Sequence, residues 1–189
     1  MHIIHFDKIT STQDYALDLI KTNIVYEDTL ITSIIQTDGR GRLKQRKWLS
    51  EYGNFHGSYI VNIQSLDISI NNVSIINTLV MYSIFKFLNR ILGKDILKIK
   101  LPNDIYYNNK KLAGVLIEIM YPYAIIGIGI NIYTSPLHTS TSLYDIIKNN
   151  NLVNIYNIFD DNYGLSNKYC NELYEVIVNN LRNFKNMLK

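Results

Sequence analysis

The residues best suited to chemistry lie in one stretch, Gly39-Arg40-Gly41-Arg42-Leu43-Lys44-Gln45-Arg46-Lys47-Trp48. Five cations fall between Arg40 and Lys47 in a chain whose formal net charge is only +3. Gly39 and Gly41 alternate with Arg40 and Arg42, so the backbone can approach a ligand closely while the guanidinium groups project from it. A guanidinium presents a planar fork of donors matched to carboxylate and phosphate oxygens, which an ammonium does not. The chemistry this suits is holding two negatively charged groups against each other. A short basic run also fits a solvated face, a nucleic-acid patch or a localisation signal. The flanks favour a site: a β-type run over residues 30–35 leads in, and Trp48, Gly53 and a second apolar run lead out.

Other candidates are spread along the chain. Ser11 and Thr12 precede an apolar period at Ala16, Leu17, Leu19 and Ile20, so they read as helix-capping hydroxyls. Free N–H groups and hydroxyls at a helix start can also receive a polar ligand. Gly127 and Gly129 sit at alternate positions of a strand-like run, on one face, where close approach by a ligand or by backbone is a common reason for glycine. His2 and His5 lack companions at metal-ligand spacing and read as polar partners of a first strand. Cys170, the single cysteine, lies among Tyr169, Leu173 and Tyr174 and reads as a packed thiol.

The elements that must position these residues follow from periodicity. Strands are expected over residues 2–7, 30–37, 55–63, 96–101, 105–107, 112–119 and 123–132. Asn108-Asn109 reads as a tight hairpin turn and Tyr121-Pro122 as a second turn. Helices are expected over residues 12–22, 69–92, 142–148 and 166–188. The longest carries Val73, Ile76, Leu79, Val80, Ile84, Phe87, Leu88 and Ile91 at helical spacing and is stopped by Gly93. The last carries Tyr169, Leu173, Ile177, Leu181 and Phe184. Hairpins on one sheet bracketed by helices imply an α+β fold with a mixed or antiparallel sheet.

With 189 residues, 47% apolar, the chain has the size and composition of one globular domain, residues 1–189, rather than a disordered segment. No run reaches the ~18 apolar residues of a membrane span, no signal peptide is evident, and one cysteine excludes an internal disulfide; the expectation is a cytoplasmic protein. The basic excess sits in one loop rather than over a face, unlike a general nucleic-acid binder.

Taken in order, Ser11-Thr12-Gln13, Gly39-Arg40-Gly41-Arg42 with Trp48, Lys100-Leu101-Pro102-Asn103-Asp104, Lys111-Leu112-Ala113-Gly114, Glu118, and Gly127-Ile128-Gly129-Ile130-Asn131 resemble the biotin–protein ligases. Their catalytic domain shows Ser-Thr-Asn, Gly-Arg-Gly-Arg, Lys-Trp-Pro-Asn-Asp, Lys-Leu-Ala-Gly and Gly-x-Gly-x-Asn in that order, and the likeness covers about residues 5–145. The resemblance implies the class II aminoacyl-tRNA synthetase-like fold of biotin and lipoate ligases. It implies a two-step reaction: biotin and ATP give biotinyl-5′-AMP, with Mg²⁺, and a lysine of a biotin carboxyl carrier domain of an acyl-CoA carboxylase then displaces AMP. At ~4 Å two like unit charges repel by about 1 kcal/mol in water and several-fold more in a closed site, so fixed cations are needed.

By the same resemblance, Arg42 and Lys111 are catalytic, Lys111 bridging the biotin carboxylate and the α-phosphate. Ser11, Thr12, Gln13, Gln36, Gly39, Arg40, Gly41, Arg42, Lys111 and Gly114 would contact biotin. Arg40, Arg42, Arg46, Trp48, Asn103, Lys111 and Asn131 would contact ATP or the adenylate, Trp48 by stacking on adenine. Asn103 and Asn131 read equally as turn and strand-end residues, and Trp48 as core. No metal cluster is expected; Asp104 is the candidate metal or acceptor-lysine contact. Gln13 stands where the family has Asn, Leu101 where it has Trp, and the loop before Trp48 is one residue longer, which leaves Arg46 or Lys47 as its third cation. Neither a preceding helix-turn-helix nor the small C-terminal SH3-like barrel is expected, and with them DNA binding is not expected; monomer and homodimer both stay open. A lipoate ligase or octanoyltransferase of the same fold and a basic-loop RNA-binding module are the rival readings.

Overall fold

The computed structural model describes residues 1–25, 27–43, 45, 47–66, 68, 73–152 and 165–187. Arg46, the expected helix start at 69–72 and the side chains of Val73 and Phe184 lie outside the described residues. A seven-stranded sheet runs β1-β2-β3-β7-β6-β5-β4, built from β1 (His2–Ile9), β2 (Thr29–Gln36), β3 (Phe55–Asn62), β4 (Lys98–Lys100), β5 (Asp104–Tyr107), β6 (Lys110–Met120) and β7 (Tyr123–Ile130). Only β1 and β2 are parallel, joined through helix α1 (Thr12–Lys21); the remaining pairs are antiparallel. The sheet is therefore mixed, as the α+β reading expects.

Local chemistry accounts for the turns. Asn108 and Asn109 take φ of 45° and 65°, the left-handed pair that a two-residue hairpin needs and that asparagine tolerates. Ser11 caps α1, its hydroxyl accepting from Asp14 N–H at 3.3 Å. Ser142 caps α3 (Leu143–Asn149) in the same way at 3.1 Å. The strand expected over 96–101 is shorter than its alternation suggests, because Leu101 already belongs to the turn that ends β4.

The two faces of the sheet are covered unequally. Helices α2 (Val73–Leu92) and α4 (Asn167–Met187) pack on one face over a core that includes Ile76, Val80, Ile84, Phe87, Leu88, Leu173, Ile177 and Leu181, with Cys170 buried among them. By length and composition alone Ser74–Leu92 could cross a membrane; its apolar face is instead spent on this core. The opposite face is covered by α1 at one end only, where Ala16 and Ile20 pack on Ile31, Ile60 and Ile125. Burying each of these larger side chains contributes about 1.5–3 kcal/mol. Beyond α1 the same face is open.

Candidate functional site

The open part of that face is floored by cross-strand rows with little side chain in them. Asp104, Gly114, Gly129 and His56 lie opposite one another across β5, β6, β7 and β3, and Leu116, Gly127 and Ser58 form the next row. Above them is a cavity of about 360 Å³, within the size range of small-molecule sites. The glycines make room for two side chains. A Cβ on Gly129 would stand 2.4 Å from the Trp48 ring, and one on Gly127 2.5 Å from Gln13 Oε1. A second groove of about 410 Å³ adjoins the cavity and shares Arg42, Leu101, Pro102 and Asn103 with it.

The basic loop closes on itself above this floor. Trp48 N–H donates to Gly39 O at 2.8 Å, and Arg40 bridges to Lys47 across the loop. A Cβ on Gly39 would meet Trp48 O at 2.7 Å, so this glycine serves the closure of the loop. Trp48 lines the cavity, partly buried. Its ring lies down over Gly129 and Gly114, edge-on to His56, with Lys111 Nζ 5.6 Å from its centroid, and Nε1 is buried without a partner among the described residues.

Two of the three loop cations among the described residues, Arg40 and Lys47, are already matched. Arg40 is gripped by both Glu118 oxygens at 2.7 and 2.9 Å and by Asp14 at 2.9 Å. Burial lowers the Arg40 pKa, but these two carboxylates outweigh it and the net shift is upward. Lys47 pairs with Asp38 at 2.5 Å and Lys111 with Asp104 at 2.6 Å. Arg42, exposed at the rim, and Lys100, over the Tyr106 ring at 4.7 Å, are the two cavity-lining cations without a carboxylate partner among the described residues.

Away from these cations the cavity is neutral and richly hydrogen-bonded. Gln36 Oε1 accepts from Thr12 N–H at 2.8 Å and from the Thr12 hydroxyl at 3.1 Å. The Thr12 and Ser58 hydroxyls are 2.9 Å apart, and Ser58 donates to Gln13 Oε1 at 3.0 Å. Gln13 Nε2 donates to Glu118 at 2.9 Å. Ser50 ties the loop's end to both neighbouring strands, its hydroxyl accepting from Gln36 N–H at 2.9 Å and lying 3.1 Å from His56 Nε2.

Thus the cavity gathers Thr12, Gln13, Gln36, Arg40, Gly41, Arg42, Trp48, Asn103, Asp104, Lys111 and Gly114 from five separate segments. Ser11, Gly39 and Asn131 do not line it. Ser11 is the helix cap and Gly39 the loop closure. Asn131 stands behind Lys111, donating to Lys111 O at 3.4 Å and Thr141 O at 3.1 Å. That is the strand-end role, and it fixes the Lys111 backbone. Asn103 is tied to β6, donating through Nδ2 to Val115 O at 3.1 Å.

With this geometry in view, the biotin/lipoate A/B protein ligase family model matches residues 5–131. The chain belongs to that family. It is 35% identical over 150 residues to the bifunctional ligase/repressor BirA of Bacillus subtilis, covering 77% of this chain and 45% of that protein. To the Escherichia coli BirA it is 34% identical over 129 residues, 65% of this chain and 38% of that one. The chain therefore spans less than half the length of these curated relatives. The biotin protein ligase of Aquifex aeolicus in complex with biotin and ATP matches with a TM-score of 0.75 at 29% identity, over 98% of this chain and 72% of that one. The Leishmania major ligase in complex with biotinyl-5-AMP matches with 0.77 at 24% identity, over 95% and 74%, a likeness of fold.

For this family member, sequence reasoning left several cavity residues unassigned: Ser58, Lys100, Tyr106 and the two floor glycines of β7. Glycine alternation signalled Gly127 and Gly129, and Lys100 stands in a quoted motif. Ser58 carried no signal, because only the β3–β7 register sets it opposite Gly127.

Proposed function

We propose that this chain is a biotin–protein ligase catalytic domain, which joins biotin to AMP and passes it to a lysine of a biotin carboxyl carrier domain. The observation that carries this reading is the polarity of one cavity. A neutral, hydrogen-bonding end formed by Gln36, Thr12, Ser58 and Gln13 faces a cationic end formed by Arg42, Lys100 and the Lys111–Asp104 pair. A cyclic urea with an anionic tail fits that order. An oxygen of the biotin carboxylate attacks the α-phosphorus of ATP, the P–O bond to the β-phosphate breaks, and pyrophosphate leaves with that electron pair. The carrier amine then attacks the acyl carbon, AMP leaves, and the amine loses a proton. Arg42, Lys100 and Lys111 offset the repulsion between the two anions in the first step.

Asp14, Asp104 and Glu118 are each held in an ion pair, and no metal-holding group of three side chains occurs among the described residues. The residues present do not fit a protein cage for Mg²⁺; the ion's usual place is on the nucleotide phosphates, with few protein ligands. The relatives named for acetyl-CoA carboxylase, such as that of Paracoccus denitrificans, support a carboxylase carrier domain as partner. The deciding experiment is pyrophosphate release from ATP with biotin, lipoate or octanoate offered in turn. Release with biotin alone is expected; release with lipoate or octanoate but not biotin would overturn the reading. A dithiolane ring or an alkyl chain brings no N–H donor to the neutral end of the cavity.

A further inference from the structure

We propose that Glu118 is a positioning residue that makes the neutral end of the cavity selective for an acid carrying N–H donors, by fixing the Gln13 amide and holding Arg40. This rests on the ligase reading of the site. Glu118 does not line the cavity, so it acts through those two residues.

An ionised carboxylate only accepts hydrogen bonds, so the Gln13 amide must turn its NH₂ to Glu118 Oε2, at 2.9 Å, and aim Oε1 at the Ser58 hydroxyl, at 3.0 Å. The Gln36 amide is pinned from the other side, because its Oε1 accepts the Thr12 N–H at 2.8 Å. Between two amide oxygens of fixed direction stand two hydroxyls. Thr12 contacts Gln36 at 3.1 Å, Thr12 contacts Ser58 at 2.9 Å, and Ser58 contacts Gln13. Those three contacts share only two hydroxyl protons; the Thr12 N–H already serves Gln36 Oε1, so what the row lacks is a donor to its third contact. A ligand N–H supplies the missing donor; an alkyl or disulfide edge cannot. If Gln13 were free to flip, its NH₂ would make good the shortage and the preference would disappear.

The charge balance acts in the same direction. Arg40 sits between two carboxylates, Asp14 and Glu118, so this cluster is formally negative by one unit. It repels a ligand carboxylate and leaves that group to Arg42 and Lys111. Gly127 is the third part of the device. The Gln13 side chain, one methylene longer than asparagine, occupies space that any Cβ there would fill, 2.5 Å from its Oε1.

The test compares the wild-type chain with Glu118→Gln, Glu118→Asp and Gln13→Leu. Calorimetry gives the dissociation constants of biotin and octanoate, and pyrophosphate release gives kcat and the KM values for biotin and ATP. Glu118→Gln is expected to weaken biotin by about tenfold, the usual scale for a hydrogen bond to a charged group, with the octanoate constant and the KM for ATP unmoved. Gln13→Leu lets the two hydroxyls satisfy the row themselves and should lose the same preference. The double variant should lose no more than the worse single one, and Glu118→Asp should recover part of the loss. Unchanged discrimination in Glu118→Gln overturns the proposal. So does a parallel loss for biotin, octanoate and ATP together with a lower thermal midpoint, which is the mark of a merely structural residue. A wild-type chain that binds no biotin overturns the ligase reading itself, and the proposal with it.

Discussion

One face of the sheet is built twice over from the same strands. At one end β2, β3 and β7 present Ile31, Ile60 and Ile125 to helix α1; at the other β6, β7 and β3 present Gly114, Gly129, Gly127 and Ser58 to a cavity. Strand, pleat and register are continuous between them, so backbone geometry does not separate the two ends. What differs is side-chain volume. Isoleucine fills the first end to the packing that stabilises the domain. Removing side chains from the second gives up that burial and leaves a floor on which Trp48, Gln13 and a ligand can lie. One end should therefore answer to substitution in stability and the other in chemistry.

The largest effect belongs to the open end. Lys111→Ala removes the cation that approaches both anions in the proposed first step and should slow adenylate formation by roughly a hundred- to a thousandfold, as the loss of one preorganised charge or donor typically does. Biotin affinity should fall much less. A pre-steady-state assay of pyrophosphate release, alongside calorimetry with biotin, separates the two; equal losses in both would place Lys111 in binding alone. At the covered end, Ile60→Ala should leave the KM for biotin within about twofold while costing about 3 kcal/mol of stability, the scale of a large-to-small change in a packed core. Urea unfolding measures it. A kinetic defect with unchanged stability would mean that the two ends are not independent.

How much of this was legible in the sequence follows the same division. The covered end announces itself: apolar periodicity in residues 12–22 and a Ser11 cap lead directly to α1. The open end was legible where a residue type carries its own signal, as in the arginine loop, Lys111 and the paired glycines. It was not legible where meaning comes from a partner far along the chain. Arg40 reads as an anion binder, and nothing near it in the chain announces that Glu118, 78 residues away, holds it at 2.7 Å. Trp48 reads as a stacking platform or as core, and nothing near it in the chain announces the glycine trough beneath it. Asn131 reads as a ligand contact or a strand end, and only its bonds to Lys111 O and Thr141 O decide its place.

His56 lies on the border, in the glycine row yet almost fully buried, and it tests the division by pH. Burial lowers its pKa from 6.5 to about 4, against a smaller opposing contribution from the Ser33 backbone. The folded state therefore resists a proton that the unfolded chain accepts below pH 6.5. Stability on this account is full above pH 6.5 and is lost as pH falls toward 4, by about 2 kcal/mol at pH 5. His56→Gln should flatten that slope in chemical denaturation between pH 7 and 5. A variant with the wild-type slope would assign the loss to other groups.

The smallest effect separates the two kinds of cation within the open end. Arg40 is spoken for by two carboxylates, whereas Arg42 has none among the described residues and stands at the rim where the cavity meets the second groove. A cation already neutralised in the empty site adds little new attraction when an anion arrives; an unpaired one adds its full screened interaction. Arg42→Ala should thus speed the release of biotinyl-AMP by about tenfold, the equivalent of one charge-assisted contact at an exposed site, with the thermal midpoint unmoved because no partner is left behind. Added salt should erase part of the difference, since an exposed contact is screened within about 10 Å at 0.1 M. Release as slow as that of the wild-type chain would remove Arg42 from the adenylate and pass that duty to Lys100.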